Sequence, residues 1–159
     1  MKEIVFQYQV LENASALSTE DAQLLLKARA VTAKAYAPYS QFQVGAVALL
    51  NNGETVEGTN QENASYPVGI CAERVLLSAV SSLYNGVSIK TMAISYHNLK
   101  GESNKPVSPC GICRQSLLEQ TIRQHQPIKL ILSGIEGVVY ILEDAAALLP
   151  LSFTAMDMK

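Results

Sequence analysis

The run Asn60-Gln61-Glu62-Asn63-Ala64-Ser65-Tyr66-Pro67-Val68-Gly69-Ile70-Cys71-Ala72-Glu73-Arg74 passes from a polar, turn-rich loop into a helical segment at its far end. There Cys71 is followed two residues later by Glu73. Pro109-Cys110-Gly111-Ile112-Cys113 repeats the arrangement downstream, again where a loop becomes a helix, and the two segments together hold all 3 cysteines of the chain. Three thiolates on a zinc ion leave one tetrahedral position open, which marks a catalytic rather than a structural metal. A carboxylate two residues from a ligand is placed to carry protons to and from whatever fills that position.

Working outward, a helix is expected from about 71 to 83, closed by Asn85-Gly86. Upstream, the run 42–50 has little polar relief and reads as a central strand covered on both faces. Asn51-Asn52-Gly53 turns it into an antiparallel partner near 54–59. Residues 89–96 and 129–133 read as further strands, with 138–142 antiparallel to the latter because the link is too short for a crossover. A helix is expected from Pro109 to about Gln124, and a last short one over 143–149. Between them, His97 to Ser108 form the longest loop.

Near the N-terminus, Ile4, Phe6, Tyr8 and Val10 alternate with more polar neighbours, which suggests a strand or extended arm. Ser18 and Asp21 then form a capping box for a helix that stops before Pro38. The reading is an α/β fold, a three-layer α/β/α sandwich with a mixed five-stranded sheet. Residues 1–15 form the arm and 16–159 one catalytic domain.

Composition narrows the class. At 159 residues the chain is one ordinary domain. It is 48% apolar and only 16% charged, which favours burial of surface in an oligomer as well as in the core. A net charge of −2 and a pI near 5.7, with scattered basic residues, oppose a nucleic-acid partner. No leader-like segment and no membrane-length apolar run is read, so a cytoplasmic protein without a membrane partner is expected. An odd number of cysteines fits metal ligation better than a disulfide framework.

Helix N-termini favour thiolates. Arg74, three residues after Cys71 on the same helix face, can offset the charge of three sulfurs and donate to them. A redox Cys-x-x-Cys pair would not need Cys71. A structural zinc site would want a fourth ligand, for which His97 and His125 stand as surface histidines on a loop and at a helix end. Glu73 as a plain helix-start carboxylate is the bland reading; beside an open metal position it becomes a proton shuttle.

A Cys-x-Glu segment paired with Pro-Cys-x-x-Cys is the pattern of the zinc-dependent nucleobase deaminases. The sequence resembles the cytidine deaminases, specifically the short, three-cysteine, homotetrameric kind. The resemblance runs from Tyr39-Ser40-Gln41-Phe42-Gln43-Val44-Gly45-Ala46 to Leu148-Leu149-Pro150-Leu151-Ser152-Phe153 and is densest at Cys71–Arg74 and Pro109–Gln115. It implies one zinc per subunit on Cys71, Cys110 and Cys113, with Arg74 compensating charge. It also implies attack of activated water at C4 of a pyrimidine nucleoside, Glu73 passing the proton to N3 and then to the departing amine. Asn60 and Glu62 would hold the ribose 3′-hydroxyl, the backbone at Ala72 the pyrimidine edge, and Phe42 the substrate's face.

By the same resemblance, Ala64, Tyr66 and Phe153 reach a neighbouring subunit's site in a homotetramer. The arm before residue 15 and the loop 97–108 are longer than that family's usual pattern, and Thr154 replaces a common glycine. The implied role is cytidine and deoxycytidine deamination in pyrimidine salvage. A deaminase of a cytosine-bearing antibiotic such as blasticidin S is the alternative; Asn60-x-Glu62, suited to a ribose, opposes it. A polynucleotide editor would want a basic groove, and a non-catalytic zinc module would have no use for Glu73.

Overall fold

Residues 1–159 are described by a computed structural model. Six strands form one sheet: β1 (Gln9–Leu11), β2 (Phe42–Leu50), β3 (Thr55–Thr59), β4 (Ile89–Asn98), β5 (Lys129–Gly134) and β6 (Val139–Leu142). Their order is β1-β6-β5-β4-β2-β3. Only β4 and β5 run parallel; every other pair is antiparallel. The expected mixed sheet is present, but with six strands instead of five. The additional strand comes from the arm, whose Gln9–Leu11 pair with Val139–Ile141 and extend the sheet beyond β6.

Three helices complete the layers: α1 (Thr19–Val31), α2 (Ala72–Leu83) and α3 (Gly111–Gln124). On one face, Leu24, Leu25, Ala28 and Val31 of α1 pack on Val47, Ala93, Ile131 and Ile141. On the other, Leu76, Leu77 and Val80 of α2 and Leu117 of α3 pack on Ala46, Ala48, Met92, Ile94 and Leu132. Neighbours in β2 and β4 thus alternate between two cores, as a pleated strand covered on both sides must.

Ser18 caps α1 by accepting the Asp21 amide at 3.2 Å. Asp21 does not close the expected box: its carboxylate, buried at 5% exposure, pairs with Lys129 of β5 at 2.6 Å. A buried carboxylate gains more from a cation than from one amide. Two further readings are revised. His97 lies within β4, whereas His125 ends α3 as expected, in a left-handed conformation with φ 54°. The last helix is only a 3₁₀ turn, Ala145–Leu148, capped by Asp144. Its Ala145–Leu148 stretch is too short for an α-helix before Pro150.

Candidate active site

Two helix starts make the site. Cys71 is the N-cap of α2 and Cys110 the N-cap of α3, both in extended backbone. Gly58 of β3 lets α2 sit down on the sheet, since a Cβ there would lie 2.4 Å from the Ala72 carbonyl oxygen. Crossing from β4 to β5, the chain brings α3 beside α2. The Cys71 and Cys110 sulfurs are 3.8 Å apart, those of Cys110 and Cys113 3.6 Å, and all three lie within 4.8 Å of one another. A tetrahedron with Zn–S bonds of ~2.3 Å has edges of about 3.8 Å. The sulfurs are therefore spaced as zinc ligands, and neither histidine joins them.

Proton distribution agrees with that use. Hydrogen bonding with Cys113 draws the Cys71 thiol down to about 6, against burial and the Glu73 charge, with Cys110 and Arg74 assisting. The Cys113 thiol is pushed up, chiefly by the same pairing with Cys71 and then by burial. One thiolate forms readily and opposes the next, so a cation must replace the remaining protons for all three to ligate. Arg74 acts on Cys71 through its charge rather than through the direct hydrogen bond that the sequence suggests.

Glu73 is 5% exposed, and burial raises its carboxyl above the usual range, with hydrogen bonding to the backbone and to Cys113 acting the other way. It opens on a cavity of about 210 Å³ that also exposes Phe42, Asn60, Cys71, Ala72 and Cys110. Asn60 and Cys71 are shared with an adjoining groove of about 480 Å³, lined by Tyr39, Ser40, Glu62 and Tyr66. A further apolar cavity of about 500 Å³ under the arm carries none of this chemistry.

Asn60 clamps the start of β2: its Oδ1 accepts the Val44 amide at 2.7 Å and its Nδ2 donates to the Phe42 carbonyl at 2.9 Å. Glu62 accepts the Ser40 hydroxyl and the amides of Tyr39 and Ser40, and these bonds, led by that of Ser40, hold its carboxyl low. Ala64 and Phe153 line neither the cavity nor the groove. Both are exposed, and the Phe153 carbonyl is tethered to Gln115 of α3 at 3.0 Å.

Sequence reasoning gave no role to Tyr96, Val107, Ser108 or Ser40, all of which line these spaces. Tyr96 sits in an apolar strand and looks like core. Val107 and Ser108 close a loop whose path is set by distant contacts. Asn98 and Glu136 amides both bond Ser103, at 2.8 and 3.3 Å, folding the loop onto the β5–β6 turn.

Comparison with known proteins agrees with this geometry. The family described as "Cytidine and deoxycytidylate deaminase zinc-binding region" matches residues 18–126. The cytidine deaminase of Halalkalibacterium halodurans is 38% identical over 141 residues, 87% of this chain and 98% of that one. That of Mycoplasma genitalium is 43% identical over 101 residues, 63% of this chain and 70% of that one. Among solved structures, the cytidine deaminase of Burkholderia pseudomallei superposes with a TM-score of 0.72 at 36% identity, covering 86% of this chain and 100% of that one. The cysteine cluster and the zinc-binding family together fit one zinc per subunit. The chain thus belongs to the cytidine and deoxycytidylate deaminase zinc-binding family.

Proposed function

We propose that the protein hydrolyses cytidine and deoxycytidine to uridine and deoxyuridine with release of ammonia. The observation that carries this reading is the buried carboxyl of Glu73, opening on one small cavity together with Cys71 and Cys110 of the zinc-spaced cysteine cluster. Zinc supplies a Lewis acid that makes water nucleophilic near neutral pH. Glu73 takes the proton that the attacking water gives up and delivers it to N3 as C4 is attacked. A second transfer through Glu73 protonates the amino group, which leaves as ammonia while the C4 carbonyl forms. A carboxyl raised by burial suits this exchange, since a shuttle works best with a pKa nearer the operating pH.

Phe42 packs on the base, and the Ala72 backbone meets its edge. The sugar extends into the groove toward Asn60 and Glu62. Glu62, kept ionised by its donors, accepts from a hydroxyl; Asn60 has one amide hydrogen left to donate. Arg74 lowers the charge around the sulfurs.

Residues 16–159 form the catalytic domain, with 1–15 as an added arm, working in the cytoplasm in pyrimidine salvage. The active unit is a homotetramer in which Ala64, Tyr66 and Phe153 complete a neighbour's site. Tyr66 at 75% exposure and Phe153 at 59% support that assembly, since aromatics so open to water gain from a covering surface.

Ammonia release from cytidine, deoxycytidine, cytosine and single-stranded DNA, measured in parallel, tests the reading. Turnover of the two nucleosides is expected. Turnover of DNA, or of no nucleoside, would contradict it.

A further inference from the structure

The loop that runs from β4 to α3 is longer than the related family's usual pattern, and its middle is anchored to the sheet by three bonds. The Asn98 amide, at the end of β4, donates to Ser103 Oγ at 2.8 Å. The Glu136 and Val138 amides of the β5–β6 turn donate to the Ser103 and Asn104 carbonyls, each at 3.3 Å. Ser103 itself is 8% exposed. Its carbonyl oxygen would lie 1.8 Å from a Cβ at Gly134, and that of Asn104 2.1 Å from one at Gly137. No side chain could stand at either glycine without pushing the loop off the sheet.

A second pin lies at the far end of the loop. Arg114 of α3 donates from Nε to the Pro109 carbonyl at 2.8 Å and from its amide to the Cys110 carbonyl at 2.9 Å. Pro109 is buried, so Cys110 keeps its place through α3 itself. Between the pins run Lys105, Pro106, Val107 and Ser108, whose backbone bonds to no other backbone group. Two prolines stiffen this strap: Pro106 fixes its own φ, and Pro109 disfavours helical backbone at Ser108. A short, stiff strap takes its path from its ends. Val107 and Ser108 are among the residues that line the cavity shared with Cys71 and Glu73.

We propose that Ser103 is a positioning residue for substrate binding: it pins the strap 105–108 so that Val107 and Ser108 are already ordered when a nucleoside enters the cavity. This rests on the deaminase reading above. The Oγ bond is the shortest of the three. Its loss leaves the Asn98 amide unpaired and only two long bonds at the middle of the loop. The strap then samples other paths, and binding must order it again, which weakens affinity. The reacting groups are not displaced, because Cys110 is held by α3 and Glu73 lies in the first turn of α2.

The test is steady-state kinetics on cytidine, with zinc content and circular dichroism recorded for every variant. Ordering one residue again costs about tenfold in affinity, so Ser103→Ala should raise KM by about that factor while kcat and zinc stay near the parent's. Pro106→Gly loosens the strap without touching either pin and removes no hydrogen bond. It should raise KM in the same way, and it decides the matter if Ser103→Ala does not fold. An unchanged KM in either variant, folded and zinc-loaded, would overturn the proposal, since a residue that only stabilises the fold lowers the unfolding midpoint and leaves KM alone. A loss confined to kcat would overturn it too, as would loss of zinc from Ser103→Ala, which would put the effect on Cys110 instead. Absence of turnover by the parent would sink the deaminase reading, and this proposal with it.

Discussion

Asn60, proposed above to meet the sugar, already has a task in the fold. Its amide spends one acceptor and one donor on the backbone of Val44 and Phe42, so it fixes the strand start that carries Phe42 before any sugar arrives. Asn60→Ala should lower stability by about 1–3 kcal/mol, the cost of leaving half-buried groups unpaired, and raise KM as well. Urea unfolding beside steady-state kinetics measures both; a KM effect with unchanged stability would remove the clamp role. Arg74→Ala should weaken zinc retention during dialysis against a chelator without abolishing it, because a charge is lost and no ligand. Equal retention in variant and parent would count against compensation. The clustering of Cys71, Cys110 and Cys113 was legible from their spacing, because ligand chemistry restricts residue type so tightly. The burial of Glu73 was not, since a helix-start glutamate usually faces water.

At the scale of elements, the site depends on where two helices begin. Gly58 touches α2 at Ala72 and Leu76, directly after the N-cap Cys71. Gly58→Ala should push that helix start off the sheet and reduce zinc content more than it lowers the helical signal in circular dichroism. Full zinc content in the variant would show that the helix start tolerates the shift. A separate prediction concerns the Asp21–Lys129 pair, which ties α1 to β5. Lys129→Met leaves Asp21 buried without a cation, a loss of about 3–5 kcal/mol at full burial and less here because the lysine keeps some contact with water. Urea unfolding should register it while zinc content stays intact. Helices α1–α3 and the β2–β3 hairpin were readable from apolar periodicity, caps and the Asn-Gly turn. The sixth strand was not counted into the sheet, because Gln9–Leu11 pair only through contacts with residues some 130 positions away, which no local pattern announces.

For the whole molecule, apolar exposure is the feature one subunit leaves unexplained: Leu151 stands at 94%, and Tyr66 and Phe153 are exposed as well. The tetramer with composite sites proposed above would cover it. Phe153→Ala should then raise KM while zinc, held within one chain, remains bound, and mixing it with Glu73→Gln chains should restore part of the affinity. A fully active monomer by light scattering would contradict that assembly. Sequence pattern could indicate the surplus of apolar surface but not its location, which depends on how the tail lies across α3 through Gln115. The central claim is narrower: three sulfurs hold zinc, and Glu73, outside the ligand set, moves the protons. Zinc content and cytidine turnover measured on the same preparation of Glu73→Gln test it most directly. The account predicts zinc near one per chain and kcat lowered by about 10²–10⁴-fold, the usual worth of a positioned acid–base group. Loss of the metal, or turnover within a few-fold of the parent, would contradict it.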